Sequence, residues 1–193
     1  MAVANTPIKI CSRASLLIGG NAIQSFSDGS AEASVCDAMY EDMARAALTN
    51  NRWRFASDQE VLSRLVAAPT ARWSAAYQKP TEAIMISAVT VNDNLIQYDS
   101  YGSKIYCNEG ESSEVVCDYI FRANEPDWPP YFVVAVEYVM AAVLAVSVAR
   151  DPQMAQLMEA KADYQMRQAR LRESQSQTTR KLNTSRFITE RRS

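Results

Sequence analysis

Apolar and polar positions alternate along the chain with two different periods, and the change of period divides it. Thr6-Pro7 is a helix start, with Thr6 able to cap and Pro7 suited to the first helical position. Ile8, Cys11, Ala14, Ser15 and Ile18 then recur near helical spacing, and Gly19-Gly20 ends the run by permitting positive φ. Phe26-Ser-Asp-Gly29 reads as a turn. A second helix follows, capped by Ser30 or Asp28, with Ala31, Val35, Ala38, Met39, Met43, Ala46 and Ala47 on its expected buried face and Asn50-Asn51 at its end. The predicted helices span about 6–18 and 30–50. Trp53 and Phe55 alternate with Arg52 and Arg54, which predicts an extended exit strand.

Signals are mixed from Ser57 to Pro80. Glu60 to Ala68 fits a short helix or a strand, and Trp73, Ala76 and Tyr77 read as a packed loop. A period of two then takes over. Ala83–Val91, Leu95–Tyr98, Lys104–Cys107 and Glu114–Arg122, separated by turn residues, predict an antiparallel meander of about four strands over 83–122.

Asn124-Glu-Pro-Asp-Trp-Pro-Pro130 breaks the sheet and launches an almost wholly apolar helix over about 130–149. That run has the length of a membrane span. Glu137 lies inside it, no Trp or Lys anchors its far end, and Asp151-Pro152 restarts a helix at once, so a helix buried on all sides within a domain or ring is preferred. The last helix, about 152–173, carries one thin apolar stripe of Met154, Leu157, Met158, Ala162, Gln165 and Ala169. Residues 178–193 have no periodic pattern and read as an arm ending in Ser185-Arg-Phe-Ile-Thr. The expected fold is α+β, mainly α: a helical bundle with an inserted small antiparallel β-meander and an extended C-terminal arm, so one domain over 1–177 plus the arm 178–193.

Composition narrows the chemistry. The 193 residues contain no histidine, which removes the usual general base near neutral pH and the Ser-His and Cys-His nucleophile pairs. Cys11, Cys36, Cys107 and Cys117 have no metal-ligand spacing and are expected as buried free thiols; only Cys107 and Cys117 look placed to meet, across a hairpin. Gly19-Gly20 is no phosphate-binding motif, the Asp37, Glu41, Asp42 group reads as a solvated helix face, and Glu109, Glu111 and Glu114 fall in a loop. No catalytic, cofactor or metal site is expected. The N-terminal MAVANTPIK has no signal-peptide pattern, so synthesis in a cytoplasm is expected.

Charge is unevenly distributed. Beyond Met166 eight basic residues face two acidic ones, a net of about +6, which leaves about −8 on the rest of a chain whose total is −2. The asymmetry fits either a solvated, frayed terminus or an arm that docks on an acidic surface; with one aromatic, Phe187, and no base-reading motif, a docking arm fits a protein partner better than a nucleic acid. The Phe-Ile pair would fill a pocket and the arginines would pair with acids at its rim.

The order Ala14-Ser-Leu-Leu-Ile-Gly-Gly, Phe26-Ser-Asp-Gly29, a helix with Cys36 and Tyr40, and Trp53-Arg-Phe55 resembles the head-to-tail adaptors of tailed bacteriophages, the tail tubular protein A type of connector. The later part is similar too: Trp128-Pro-Pro-Tyr131 before an Ala-rich helix, Asp151-Pro152 before the next, Gln168-Ala-Arg170, and Ser185-Arg-Phe-Ile188. Gly20 departs from the acidic residue that such chains often carry after the first glycine. The resemblance implies a virion protein whose copies, typically twelve, ring the underside of the portal, extend the DNA channel without sequence-specific binding, and offer a platform to the tail nozzle or next tail component. It implies portal docking through Arg180, Lys181, Arg186, Phe187, Ile188, Arg191 and Arg192, and inter-subunit or core roles for Trp53, Phe55, Tyr131 and Tyr138. No membrane partner is expected. Other neck or tail-completion proteins (a stopper or terminator) and a packaging-linked DNA-binding protein are the alternatives.

Overall fold

A computed structural model describes residues 5–67, 69 and 71–175, so the arm from 178 onward lies outside the described residues. The fold is α+β and mainly α. Helix α1 (Pro7–Leu17) is capped by Thr6, whose Oγ1 accepts the Lys9 N–H at 3.3 Å. Gly19 takes φ +81° just after the helix, and its N–H donates to the Leu16 carbonyl, which satisfies one of the last orphan acceptors. Gly20 serves a different need. A Cβ there would lie 2.5 Å from Ser15 Oγ, so the second glycine permits close approach of the returning chain.

Helix α2 (Ala31–Thr49) is capped by Ser30, and Asp28 accepts both the N–H and the hydroxyl of that serine. Its buried face is Ala33, Cys36, Tyr40, Ala44, Ala47 and Leu48, whereas the predicted Ala31, Ala38 and Ala46 are exposed. Alanines occur on every side of this helix, so they carry no phase; the bulky Tyr40 and Leu48 set the face.

The exit at Trp53 is not a strand. Residues Arg54–Ala56 form a 3₁₀ turn, and the strand β1 (Ser57–Val61) starts after it. The remaining strands are β2 (Ala75–Gln78), β3 (Ala83–Val91), β4 (Asn94–Leu95), β5 (Tyr98–Tyr101), β6 (Lys104–Cys107) and β7 (Val115–Phe121). They form two antiparallel sheets, ordered β1-β7-β3-β4 and β2-β6-β5, in place of one four-stranded meander. The expected single strand 95–98 is split between them. The expected packed loop at 76–77 is a strand whose Tyr77 is buried, because its partner β6 lies nearly 30 residues away and leaves no local trace. The two sheets enclose a small core of their own, including Leu62, Tyr77, Val89, Ile105 and Val115.

Helix α3 (Pro130–Leu144) passes into a π-helical turn, Ala145–Ala149, that ends with Arg150 in the left-handed region. By length and composition 130–149 is long and apolar enough to cross a membrane, and half of that window is buried against the rest of the chain. It packs on α1, α2 and α4 (Pro152–Gln175). Of the expected burial on all sides within a domain or ring, the single chain supplies only part: Val134 and Val146 face outward. Asp151 caps α4 by accepting the N–H groups of Gln153 and Met154. The α4 seam is Ala155, Met158, Ala162, Met166 and Ala169, with Leu157 exposed instead of buried.

All four cysteines are free and buried. The pair in contact is Cys11 with Cys36, between α1 and α2; that contact and then burial push the Cys11 thiol far above the ordinary range. Gly19→Ala places a Cβ at a positive φ, and should lower stability by about 1 kcal/mol. A urea-denaturation midpoint equal to that of the wild type would contradict this account of the turn.

Candidate assembly surfaces

The aromatic residues singled out in the sequence converge on the start of α3. Trp53 is fully buried, its indole N–H donates to the Ala47 carbonyl at 3.0 Å, and its ring meets Phe132 edge-on at 5.1 Å. Phe55 lies 5.0 Å from Phe132 on another side, and Trp128 5.0 Å away on a third. Each such ring pair contributes about 0.5–1.5 kcal/mol beyond area burial. Trp53 is therefore a core residue of the single chain, and Phe55 is half-buried against the same cluster. Tyr138 is half-buried, with Lys161 Nζ 5.8 Å above its ring.

Tyr131 has a polar role. Its hydroxyl donates to Glu173 Oε2 near the end of α4, and Glu173 Oε1 accepts the Arg54 N–H at 2.8 Å. One buried carboxylate thus joins the exit of α2, the start of α3 and the end of α4. Burial, then the hydrogen bond to Glu173, pushes the Tyr131 hydroxyl up to about 12.

A second network was not legible in the sequence. The buried Glu125 accepts the Tyr40 hydroxyl at 3.1 Å and pairs with Arg122, whose guanidinium also pairs with Glu41 at 3.0 Å and lies over the Trp128 ring at 5.3 Å. Arg122 and Glu125 are three apart, which the sequence displays, but nothing there announces Tyr40 and Glu41 as partners. Glu41 is exposed, as expected of a solvated face, and is also held by Arg122 and Arg45; burial raises its pKa, but the two arginines outweigh it and the net shift is downward. Asp37 and Asp42 are exposed, as expected. Two further ion pairs fasten the layers: Arg13 to Glu137 at 2.8 Å, across α1 and α3, and Arg52 to Asp118 at 2.7 Å, across the α2 exit and β7.

The open surfaces among the described residues include three larger ones. A polar groove of about 780 Å³ separates α2 from the ends of β3 and β7 and is lined by Arg45, Thr49, Glu82 and Arg122. A depression of about 440 Å³ on the small sheet is flanked by Trp73, Tyr101 and Tyr106, where Asp99 accepts from both the Trp73 indole and the Tyr101 hydroxyl. An apolar groove of about 460 Å³ lies between α2, α3 and α4. Among the described residues no group of three Cys, Asp or Glu side chains is placed to hold a metal ion. The predicted docking residues Arg180, Lys181, Arg186, Phe187, Ile188, Arg191 and Arg192 lie outside the described residues.

Because the Tyr131 pKa is raised on folding, its contribution is complete below the unfolded value near 10 and is lost as pH rises toward about 12. Glu173→Ala removes the second cause and should bring the Tyr131 transition down, though not to the free value, since burial remains. Ultraviolet titration, with the Tyr131 transition picked out from those of the other eight tyrosines by comparison with Tyr131→Phe, reads this directly; an unmoved transition would contradict the assigned bond.

No family model matches the chain, and no curated protein matches it.

Proposed function

We propose that this chain is a structural head-to-tail adaptor of a tailed-phage virion, forming a ring beneath the portal and carrying the DNA channel toward the tail. The observation that carries the reading is the order of motifs: small-residue helix, Gly turn, Ser-Asp-Gly turn, second helix, Trp-x-Phe exit, then Trp-Pro-Pro-Tyr before an Ala-rich helix. Three properties support it. The helices occur in that order around one apolar α3 whose outward residues, such as Val134 and Val146, offer surface to a neighbouring copy. The acidic excess of the body suits a lumen along which a duplex slides without sticking. The basic arm from Thr178 has the composition of a docking segment, an aromatic-aliphatic anchor flanked by arginines.

In this reading the arm reaches the portal, the helical layer supplies lateral contacts, and the sheets, with Tyr101 and Leu95 exposed, face the next tail component. Trp53 acts only through the core that holds the layer together.

Electron microscopy of the full chain mixed with portal particles should show an added ring of density below the portal. Deletion from Thr178 onward should remove that ring while the far-ultraviolet circular dichroism stays helical. Absence of the ring with the full chain would overturn the adaptor reading, and a ring that survives the deletion would overturn the role of the arm.

A further inference from the structure

We infer that the apolar groove between α2, α3 and α4 is a peptide-binding site, and that its occupant in the free subunit is the chain's own terminal sequence Arg186-Phe187-Ile188. The groove floor is Met43, Val139, Val143 and Val146, and its rim carries Glu159 and Asp163. A methionine beside valines makes an adaptable apolar floor, of the sort that accepts bulky side chains. The π-helical turn that follows α3 sets the far end of this floor, where Val146 is 59% exposed. Such turns occur disproportionately at functional sites.

The rim selects the occupant. The carboxylates of Glu159 and Asp163 have no hydrogen bond or ion pair among the described residues. The nearby cations of α4 do not bond these carboxylates: Lys161 lies over the Tyr138 ring, and Arg167 Nε donates to the main-chain carbonyl of Asp163. The groove therefore offers apolar contact beside two carboxylates that have no ion-pair partner among the described residues. Its complement is a segment with bulky apolar side chains next to positive charge. Residues 176–193 supply that, with Arg186 directly before Phe187-Ile188 and five basic residues against one acidic. The same groove would repel an acidic peptide, and an apolar lipid surface would have to bury both carboxylates.

Length permits the chain to reach its own groove. Phe187 lies twelve positions beyond Gln175, enough for up to about 40 Å of extended chain. Along α4 the distance from Gln175 back to Asp163 is about 18 Å. A tether of that length gives the segment an effective concentration in the mM range, which favours its own groove over that of another copy at ordinary protein concentrations. This inference concerns the single chain and does not rest on the ring reading. If both hold, portal docking exchanges one pocket for another, so that the arm is covered until a portal is present.

The test uses the full chain without portal. Phe187 is replaced by p-benzoylphenylalanine, the protein is irradiated at low concentration, and the products are mapped by mass spectrometry. Cross-links at monomer mass to Met43 and to the peptide containing Val139, Val143 and Val146 are expected. The double change Glu159→Lys and Asp163→Lys, at exposed and unpaired positions, should lower that yield about fivefold, the equivalent of about 1 kcal/mol. As a second readout in otherwise unmodified protein, the Met43 methyl resonance should shift on Phe187→Ala through loss of the ring current. Cross-links to the same peptides at dimer mass would assign the groove to a second copy and overturn the proposal. So would cross-links scattered elsewhere, a yield indifferent to the charge reversal, or an unmoved Met43 resonance. None of these outcomes bears on the ring, which is read from portal particles alone.

Discussion

Helix α3 has almost no polar side on which to meet water, and the rest of the helical layer is an answer to that constraint. Its start is surrounded by Trp53, Phe55 and Trp128, all centred on Phe132. Its flanks are covered by α1, α2 and α4 through small side chains, Ala14, Ala44, Ala155, Ala162 and Ala169 among them. Small residues let helix axes approach closely, and a fully buried Val, Leu, Phe or Met contributes about 1.5–3 kcal/mol. Three covering helices still leave a stripe open. Val134, on the outward side, and Val139, Val143 and Val146, along the groove, are the remainder that one chain of this size does not cover.

The buried carboxylates show how the cover is held in register. Glu137, Glu125 and Glu173 lie at the middle, before the start, and across from the start of α3, and each bonds to a different element: Arg13 on α1, Tyr40 on α2, and Arg54 with Tyr131. A buried ion pair adds little net stability over an apolar equivalent, but removing one partner leaves a charge without compensation. Alanine-rich helix faces are nearly featureless and could slide by a turn at small cost. Fixed carboxylate partners make each slide expensive, so these residues set alignment while the aromatic cluster supplies stability.

How much of this was legible follows the same division. Helix ends were legible, because a cap is a local signal: Thr6-Pro7, Ser30, Gly19 and Asp151 act as their chemistry predicts. Burial phase was not, because alanine has none; Ala31, Ala38 and Ala46 fit an inward face of α2 as well as Ala33 and Ala44 do, and Tyr40 decides between them. The sheets were legible as β structure but not as two sheets, since the pairings of β1 with β7 and β2 with β6 span long stretches of chain. The candidate site was legible in half: the basic Phe-Ile segment is written in the sequence, whereas the Glu41, Arg122, Glu125, Tyr40 network and the groove rim exist only once helices and strands are packed. Cysteine followed the same rule, with Cys11 and Cys36 brought together by α1 against α2 and no spacing to foretell it.

The surface left open by the constraint on α3 has two sides, and the two differ in chemistry. On one side Val134 stands exposed, one turn from the Arg13–Glu137 pair. The side bearing Val146 is bounded by Glu159 and Asp163, which restricts it to a cationic partner. A chain that ends in arginines around a Phe-Ile pair and also carries a groove of the opposite charge must either satisfy the one with the other or expose both. Exposing both leaves sticky apolar groups in solution, a hazard for any subunit made in many copies. Self-occupation removes that hazard and makes release of the segment conditional on a tighter acidic pocket elsewhere, so that the same arginines that end the chain would also set the order in which it assembles.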